Sequence, residues 1–350
     1  MISAKWAAGG LAVLLAVCAG ALLWQFIDWS RERALGELER KSRAQLQLYT
    51  SHLQGQLEKY EFLPELLATN ERLVNRLRDP GNAAEVEAIN RYLESINRIA
   101  DASDTYLMNS EGLTIAASNW RMERPFVGSN FAYRPYFQEA MRGRLGRYFA
   151  LGTTSNKRGY YFAYPVRHGG EILGAVVVKI NMREIEESWS RADQEMLVTD
   201  PDGVIFITTR KGWRYKTLAP LEVEVRERIR ASRRYVDEPL DSLDLRIRGE
   251  RGADARLLVL REGAERGYLA VEQEMAEAGW KVHILAATRP ALNQVLRMLL
   301  GLLFALLLGG MLVLFWLQRR RRVRERERFK RQEQRNLRRN YSPYKIEKSA

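Results

Sequence analysis

Histidine and cysteine are nearly absent. The 350 residues hold three histidines, His52, His168 and His283, and a single cysteine, Cys18. One cysteine excludes an intramolecular disulfide, and no Cys/His group stands at metal-ligand spacing, so a zinc centre of the usual kind is excluded too. No GxxxxGK[ST] loop and no GxSxG elbow occurs, which removes the usual scaffolds for nucleotide hydrolysis and serine-nucleophile chemistry. Charge is missing from two long stretches, residues 6–27 and 298–317, of 22 and 20 residues. At about 1.5 Å per residue each can cross a hydrocarbon layer, which excludes a simple soluble enzyme.

What charge there is lies unevenly. The chain has a net charge of +13, yet residues 318–350 alone hold 14 Lys/Arg and 4 Asp/Glu, net +10. A basic stretch abutting an apolar span marks the cytoplasmic side and is attracted to anionic head groups. Without interleaved aromatics or a known module, the tail does not read as a nucleic-acid partner. The first run is too long for a cleaved signal peptide, and Val17 before Cys18 is too bulky for a lipoprotein site, so a retained anchor is expected. The expected layout is a cytoplasmic N-terminus (1–5), a first span (6–28), an outer segment, a second span (291–317) and a basic cytoplasmic tail (318–350). The lipid bilayer is thus a partner. All three histidines fall outside the membrane, and none can accept a phosphoryl group in the cytoplasm.

Residues 29–63 have the composition of a helix, with Leu46, Tyr49, Leu53, Leu57 and Tyr60 in one stripe at spacings of three and four. That stripe can pack on its own domain or form the seam of a homodimer, and a rod this long can do one along each face, with a dimer expected to depend on Leu46 and Leu53. Pro64 is expected to bend the rod, and a second helix is expected over 83–99, after the break Asp79-Pro80-Gly81-Asn82. Beyond Ala100 the period becomes that of strands: 105–109, 113–118, 147–154, 159–166 and 171–180, with a helix over 134–142. Asn109-Ser110-Glu111-Gly112 and Arg167-His168-Gly169-Gly170 are hairpin signals, so those joins are antiparallel. Five strands with one helical arm make a PAS-like unit. YLMNSEGLTIAAS at 106–118 returns as MLVTDPDGVIFIT at 196–208, with Gly112 and Gly203 in matching turns, and later strands are expected at 245–248, 256–260, 267–273 and 280–287. The fold class is therefore α+β: a helical stalk (29–100), a membrane-distal PAS-like domain (101–190) and a membrane-proximal one (191–289).

The distal unit carries the chemistry. FAYRPYF at 131–137 and GRYFALGTTSNKRGYYFAYPV at 146–166 bring Arg134 together with Thr153, Thr154 and Ser155, and Lys179 adds a cation on the fifth strand. A guanidinium fork suits one carboxylate, an ammonium a second, and hydroxyls the remaining acceptors. Phe131, Tyr136 and Tyr161 would wall the middle of a short ligand. The alternative is that Arg134 and Lys179 pair with surface acids. Arg158 reads as a plain surface charge.

RPYF, the 146–166 segment and LGAVVVKINM resemble the periplasmic sensor of C4-dicarboxylate-sensing histidine kinases of the DctB type, over about three quarters of the chain. The resemblance implies a double Cache sensor in the inner membrane, binding succinate, fumarate or malate in its distal unit. Arg134, Thr153, Ser155 and Lys179 inherit carboxylate contacts, with Phe131 and the tyrosines as walls. Asn181 departs from the pattern, standing where an Asp is expected. The resemblance also implies a homodimer, a two-component phosphorelay, and partners reached through a full-length kinase: a response regulator and a dicarboxylate transporter. Such kinases continue into a phospho-accepting histidine and an ATP-binding domain. Here 33 residues follow Leu317 without them, and Val323, Phe329 and Leu337 are too sparse for a stable coiled coil. No cofactor is expected in this chain, since ATP and Mg would belong to the kinase part, and no kinase activity is expected from it alone. A double-Cache receptor for an amino acid or another carboxylate, of a chemoreceptor or cyclase, is the alternative.

The layout is testable by fusion. Alkaline phosphatase joined near Gly263 should be active in cells, and joined after Arg335 inactive. Activity at the second position would overturn the topology.

Overall fold

The computed structural model describes residues 2–79, 83–155, 157–189, 194–236, 238–262 and 264–341. They fall into two compact units, one made of residues up to Ala34 with those from Pro290 on, the other Leu35–Arg289. In the first unit, the helix α1 (Ile2–Glu61) begins and the helix α8 (Thr288–Tyr341) runs on. Among the described residues one helix, Thr288–Asn336, is long and apolar enough to cross a membrane. Its Leu302, Phe304, Leu307 and Leu312 are exposed, a surface that water would not stabilise. About half of the side chains of the expected first span, including all of 6–13, lie outside the described residues.

The outer unit starts with the rest of α1. Pro64 sits in the first turn of α2 (Leu63–Ala68), where its missing N–H is harmless, and α3 (Glu71–Arg78) follows, capped by the Asn70 side chain accepting from the Arg72 amide at 3.0 Å. Strand-free sequence had not marked α3. The expected break at 79–82 lies mostly outside the described residues, and α4 (Ala83–Ala100) follows it.

The first sheet contains β1 (Asp104–Asn109), β2 (Thr114–Ala117), β3 (Gly146–Leu151), β4 (Arg158–His168) and β5 (Glu171–Asn181), with α5 (Pro135–Met141) between β2 and β3. Its order is β2-β1-β5-β4-β3, antiparallel throughout. After α6 (Met182–Trp189) the second sheet begins with β6 (Glu195–Thr199) and β7 (Ile205–Thr208). A 3-10 turn (Lys211–Trp213) and α7 (Val223–Ala231) lead to β8 (Leu245–Glu250), β9 (Ala255–Glu262), β10 (Ala264–Met275) and β11 (Trp280–Ala287). The second order, β7-β6-β11-β10-β9-β8, is the first with one edge strand added. α6 and α7 are not among the expected elements, because helices of 8 and 9 residues are too short for a periodic pattern to stand out.

The two hairpins that open the sheets match in atomic detail. Asn109 Oδ1 accepts from the amides of Glu111 (3.1 Å) and Leu113 (2.8 Å), and Asp200 Oδ1 accepts from those of Asp202 (3.0 Å) and Val204 (2.9 Å). Both turns end on a glycine at φ +81°, which only glycine adopts without strain. Register shifts follow at Leu107/Met108 and Val198/Thr199. This is one unit used twice.

One face of the first sheet (Leu107, Val166, Val176, Val178) packs against Leu67, Leu73, Ile89 and Leu93 of α2–α4. The α1 stripe lies elsewhere: Leu46, Leu53, Leu57 and Tyr60 share a buried cluster with Phe162, Met196, Val198 and Ile284. The stripe is therefore core, and the dimer seam expected along it is corrected: a leucine 0% exposed inside its own fold cannot also meet a second copy. Truncating Leu53 to Ala should lower the unfolding free energy of the outer unit by about 2–5 kcal/mol in urea. An unchanged midpoint would place the stripe outside the core.

Candidate ligand-binding site

The second face of the first sheet carries the expected residues. Strand register aligns Tyr148, Tyr161, Lys179 and Asp104 in one row across β3, β4, β5 and β1. Directly opposed residues point to the same side, so two phenols, an ammonium and a carboxylate form a continuous strip. Lys179 is 0% exposed; its Nζ lies 3.2 Å from Asp104 Oδ2 and donates to Ser155 Oγ at 2.9 Å. Gly159 makes room for it, since a Cβ there would stand 2.7 Å from Lys179 Cε. The ammonium also faces the rings of Phe126 (5.4 Å) and Tyr161 (5.9 Å).

Arg134 is placed by the residue after it. Pro135 disfavours a helical conformation before it, so Arg134 is extended (φ −76°, ψ 131°) and caps α5. Its side chain enters the interior, the residue 2% exposed, and donates to three carbonyls: Leu151 (3.2 Å), Ser232 (3.2 Å) and Arg233 (3.0 Å). Between the two cations, Tyr136 stacks on Tyr161 with centroids 5.0 Å apart and shares a 2.8 Å hydrogen bond with the Tyr106 hydroxyl. Burial pushes the Tyr106 and Tyr136 phenols well above their ordinary range, so both remain protonated. Phe131 packs at 6.0 Å from Tyr106 and from Phe126.

The expected residues are not equally central. Ser155 and Tyr161 stand beside Lys179; Thr153 is exposed and lies 3.3 Å from the Tyr133 hydroxyl; Thr154 is half-buried in the same turn. Sequence reasoning missed Asp104, Tyr106 and Phe126. The alternative that Lys179 pairs with a surface acid is corrected in kind: its partner Asp104 is buried, and only the β1–β5 register brings it to Lys179. Arg158 is corrected as well: its side chain is 9% exposed and paired with Glu186.

The site touches the second sheet through a short strap. Beyond the Arg134 contacts, the Leu151 amide donates to the Arg234 carbonyl at 2.8 Å. Arg234 donates to the Tyr148 hydroxyl (3.1 Å), Asp200 (2.6 Å) and Asp202 (3.0 Å). The strap is strained, with φ +49° at Arg233 and +55° at β-branched Val236.

A Cache domain profile matches residues 27–295. The chain belongs to the Cache domain family. Its sensor region is of the DctB type. The crystal structure of the Vibrio cholerae histidine kinase DctB sensor domain superposes with a TM-score of 0.66 at 36% identity, over 70% of this chain and 95% of that one. The C4-dicarboxylate transport sensor protein DctB of Pseudomonas aeruginosa is 36% identical over 310 residues, 89% of this chain and 48% of that protein. DctB of Rhizobium meliloti is 31% identical over 321 residues, 91% of this chain and 51% of that protein. The chain thus spans about half the length of these curated relatives. The sensory domain of the Campylobacter jejuni chemoreceptor Tlp3 with isoleucine bound shares the fold, with a TM-score of 0.52 at 11% identity over 76% of this chain and 98% of that one.

Breaking a buried ion pair leaves an uncompensated charge. Asp104→Asn should lower stability of the outer unit by about 3–5 kcal/mol in urea, and adding Lys179→Met should recover much of it. A double variant no more stable than the single would mean that the pair is not coupled.

Proposed function

We propose that this chain is a membrane-anchored receptor for C4-dicarboxylates such as succinate, fumarate and malate. In this reading both apolar runs, residues 6–28 and 291–317, span the inner membrane, and residues 29–290 lie in the periplasm. One observation carries the proposal: two buried cations, Arg134 and Lys179, border one aromatic face in a chain whose relatives are named C4-dicarboxylate sensors. One carboxylate takes the guanidinium fork of Arg134; the other takes Lys179 and the Ser155 hydroxyl. Tyr136, Tyr161 and Phe131 wall the short carbon chain, and Thr153 and Thr154 close the rim.

Binding has a route to the second sheet. An ionised carboxylate is a stronger acceptor than a carbonyl, so at Arg134 it displaces the carbonyls of Ser232 and Arg233. Losing those bonds frees one end of a strained strap whose other end is held by Asp200. The ligand then favours one arrangement of the two sheets by its differential affinity, as any population shift requires. A homodimer carries that change to the cytoplasm, where a longer protein with an ATP- and Mg-using kinase part would pass it to a response regulator, alongside a dicarboxylate transporter.

A second reading has its own observation. Asp104 offers a carboxylate to an ammonium, so an amino acid could bind with its carboxylate on Arg134. Calorimetry on the chain in lipid nanodiscs separates the two. Succinate should bind and butyrate, which leaves one buried cation unmatched, should bind far more weakly. Arg134→Ala and Lys179→Ala should each cost about 2–5 kcal/mol, roughly thirtyfold or more in affinity, with folding checked by circular dichroism. Ser155→Ala should cost about 0.5–1.5 kcal/mol. Unchanged succinate binding by Arg134→Ala sinks the dicarboxylate reading, and tighter binding of an amino acid than of succinate selects the second.

A further inference from the structure

The outer unit holds another pocket, built from different side chains. Where β4 begins and β5 ends, near β7 and the turn Lys211–Trp213, a cleft of about 590 Å³ opens. That volume lies within the range of about 300–1,000 Å³ typical of small-molecule sites. Lys157, Arg158, Arg183, Lys211 and Arg214 line it, against the carboxylates of Glu186 and Glu187, leaving three positive charges in excess. Glu186 is committed internally. It is paired with Arg158, receives Arg214 Nη2 at 2.9 and 3.0 Å, and accepts the Thr208 amide at 3.1 Å. Burial opposes its charged form, but the two guanidiniums and that amide hold its carboxyl below the usual range.

The remaining donors have little to satisfy them. Arg214 Nε is buried without an acceptor. Arg183, Lys157 and Lys211 are exposed, and their side chains make no ion pair among the described residues. Like charges gathered in one concavity repel one another, and a multiply charged anion removes that repulsion while filling the donors.

We propose that this cleft is a second ligand site, taking a small multivalent anion that carries phosphate or several carboxylates. It does not depend on the dicarboxylate reading of the Lys179 row. The two sites share one strip of chain: Ser155 accepts from Lys179, while Lys157 and Arg158, two and three residues on, face the cleft. An anion in the cleft therefore acts on the turn that carries Ser155, and by linkage alters affinity at the Lys179 row.

The test uses the whole chain in phosphatidylcholine nanodiscs at low salt, titrated with citrate and with inorganic phosphate by calorimetry. At least one should bind, with heats that persist in saturating succinate. Binding by citrate alone assigns the site to polycarboxylates, and by phosphate alone to phosphate-bearing ligands. Arg183→Gln combined with Lys211→Gln should weaken that binding by about tenfold or more, the scale of one charge-assisted hydrogen bond, with the thermal unfolding midpoint unchanged. No heat from either anion overturns the proposal. So does full affinity in the double variant, or displacement of the anion by succinate in simple competition. Failure of the dicarboxylate reading is seen separately, as Arg134→Ala that still binds succinate.

Discussion

A charged side chain taken out of water has to be compensated, and two cations of this protein are almost wholly out of water. Lys179 is 0% exposed and Arg134 2%. Isolated burial of either would cost far more than a domain's net stability allows. The structure meets the requirement in two ways. Lys179 has a carboxylate and a hydroxyl, held by strand register and by the turn before β4. Arg134 has three carbonyl oxygens and, among the described residues, no carboxylate, an arrangement that satisfies its donors by dipoles rather than by an ionic partner. Much of the local architecture follows from these two demands: glycine at 159, proline at 135, and a strap from the second sheet reaching into the first.

The repeat shows what distinguishes the two sheets. Their hairpins, strand order and register shifts coincide, so the backbone scaffolding is the same. The rows differ. Lys179 opposes Asp104 and Tyr161 in the first sheet, whereas the equivalent Leu285 opposes Glu195 and Ala270 in the second. The ammonium and phenol are replaced by a leucine and an alanine, and Leu285 joins Trp213, Leu243 and Tyr268 in an apolar cluster. The Lys179-type pairing is thus confined to the first sheet, and in the second Leu285 and Ala270 border a cleft of about 280 Å³ with no lysine in its lining.

The strap couples these halves through polar contacts. Arg234 bridges the Tyr148 hydroxyl of the first sheet to the Asp200 turn of the second, and Tyr235 also donates to Asp200 at 2.8 Å. Networks of this kind have few alternative arrangements, because any partial release strands a buried charge. That makes the interface between the sheets suited to switching between discrete states.

Local sequence determined a good deal. The Asn109 and Asp200 turns, the alternation of strands, and the helix begun by Arg134-Pro135 all rest on contacts within a few residues, so pattern alone placed the five strands of the first sheet and the helix between them. Side-chain chemistry singled out Arg134, Ser155, Tyr161 and Lys179, and of these the structure brings Ser155 and Tyr161 against Lys179. Composition could not say where the α1 stripe points, since an apolar stripe serves a core and a seam equally well. Nor could it pair Asp104 with Lys179, 75 positions apart, or Arg158 with Glu186. Those partners meet only when β1 is laid beside β5 and when α6 turns back toward β4, because long-range strand register and the docking of short polar helices are decided by tertiary packing and by the need to neutralise each buried charge.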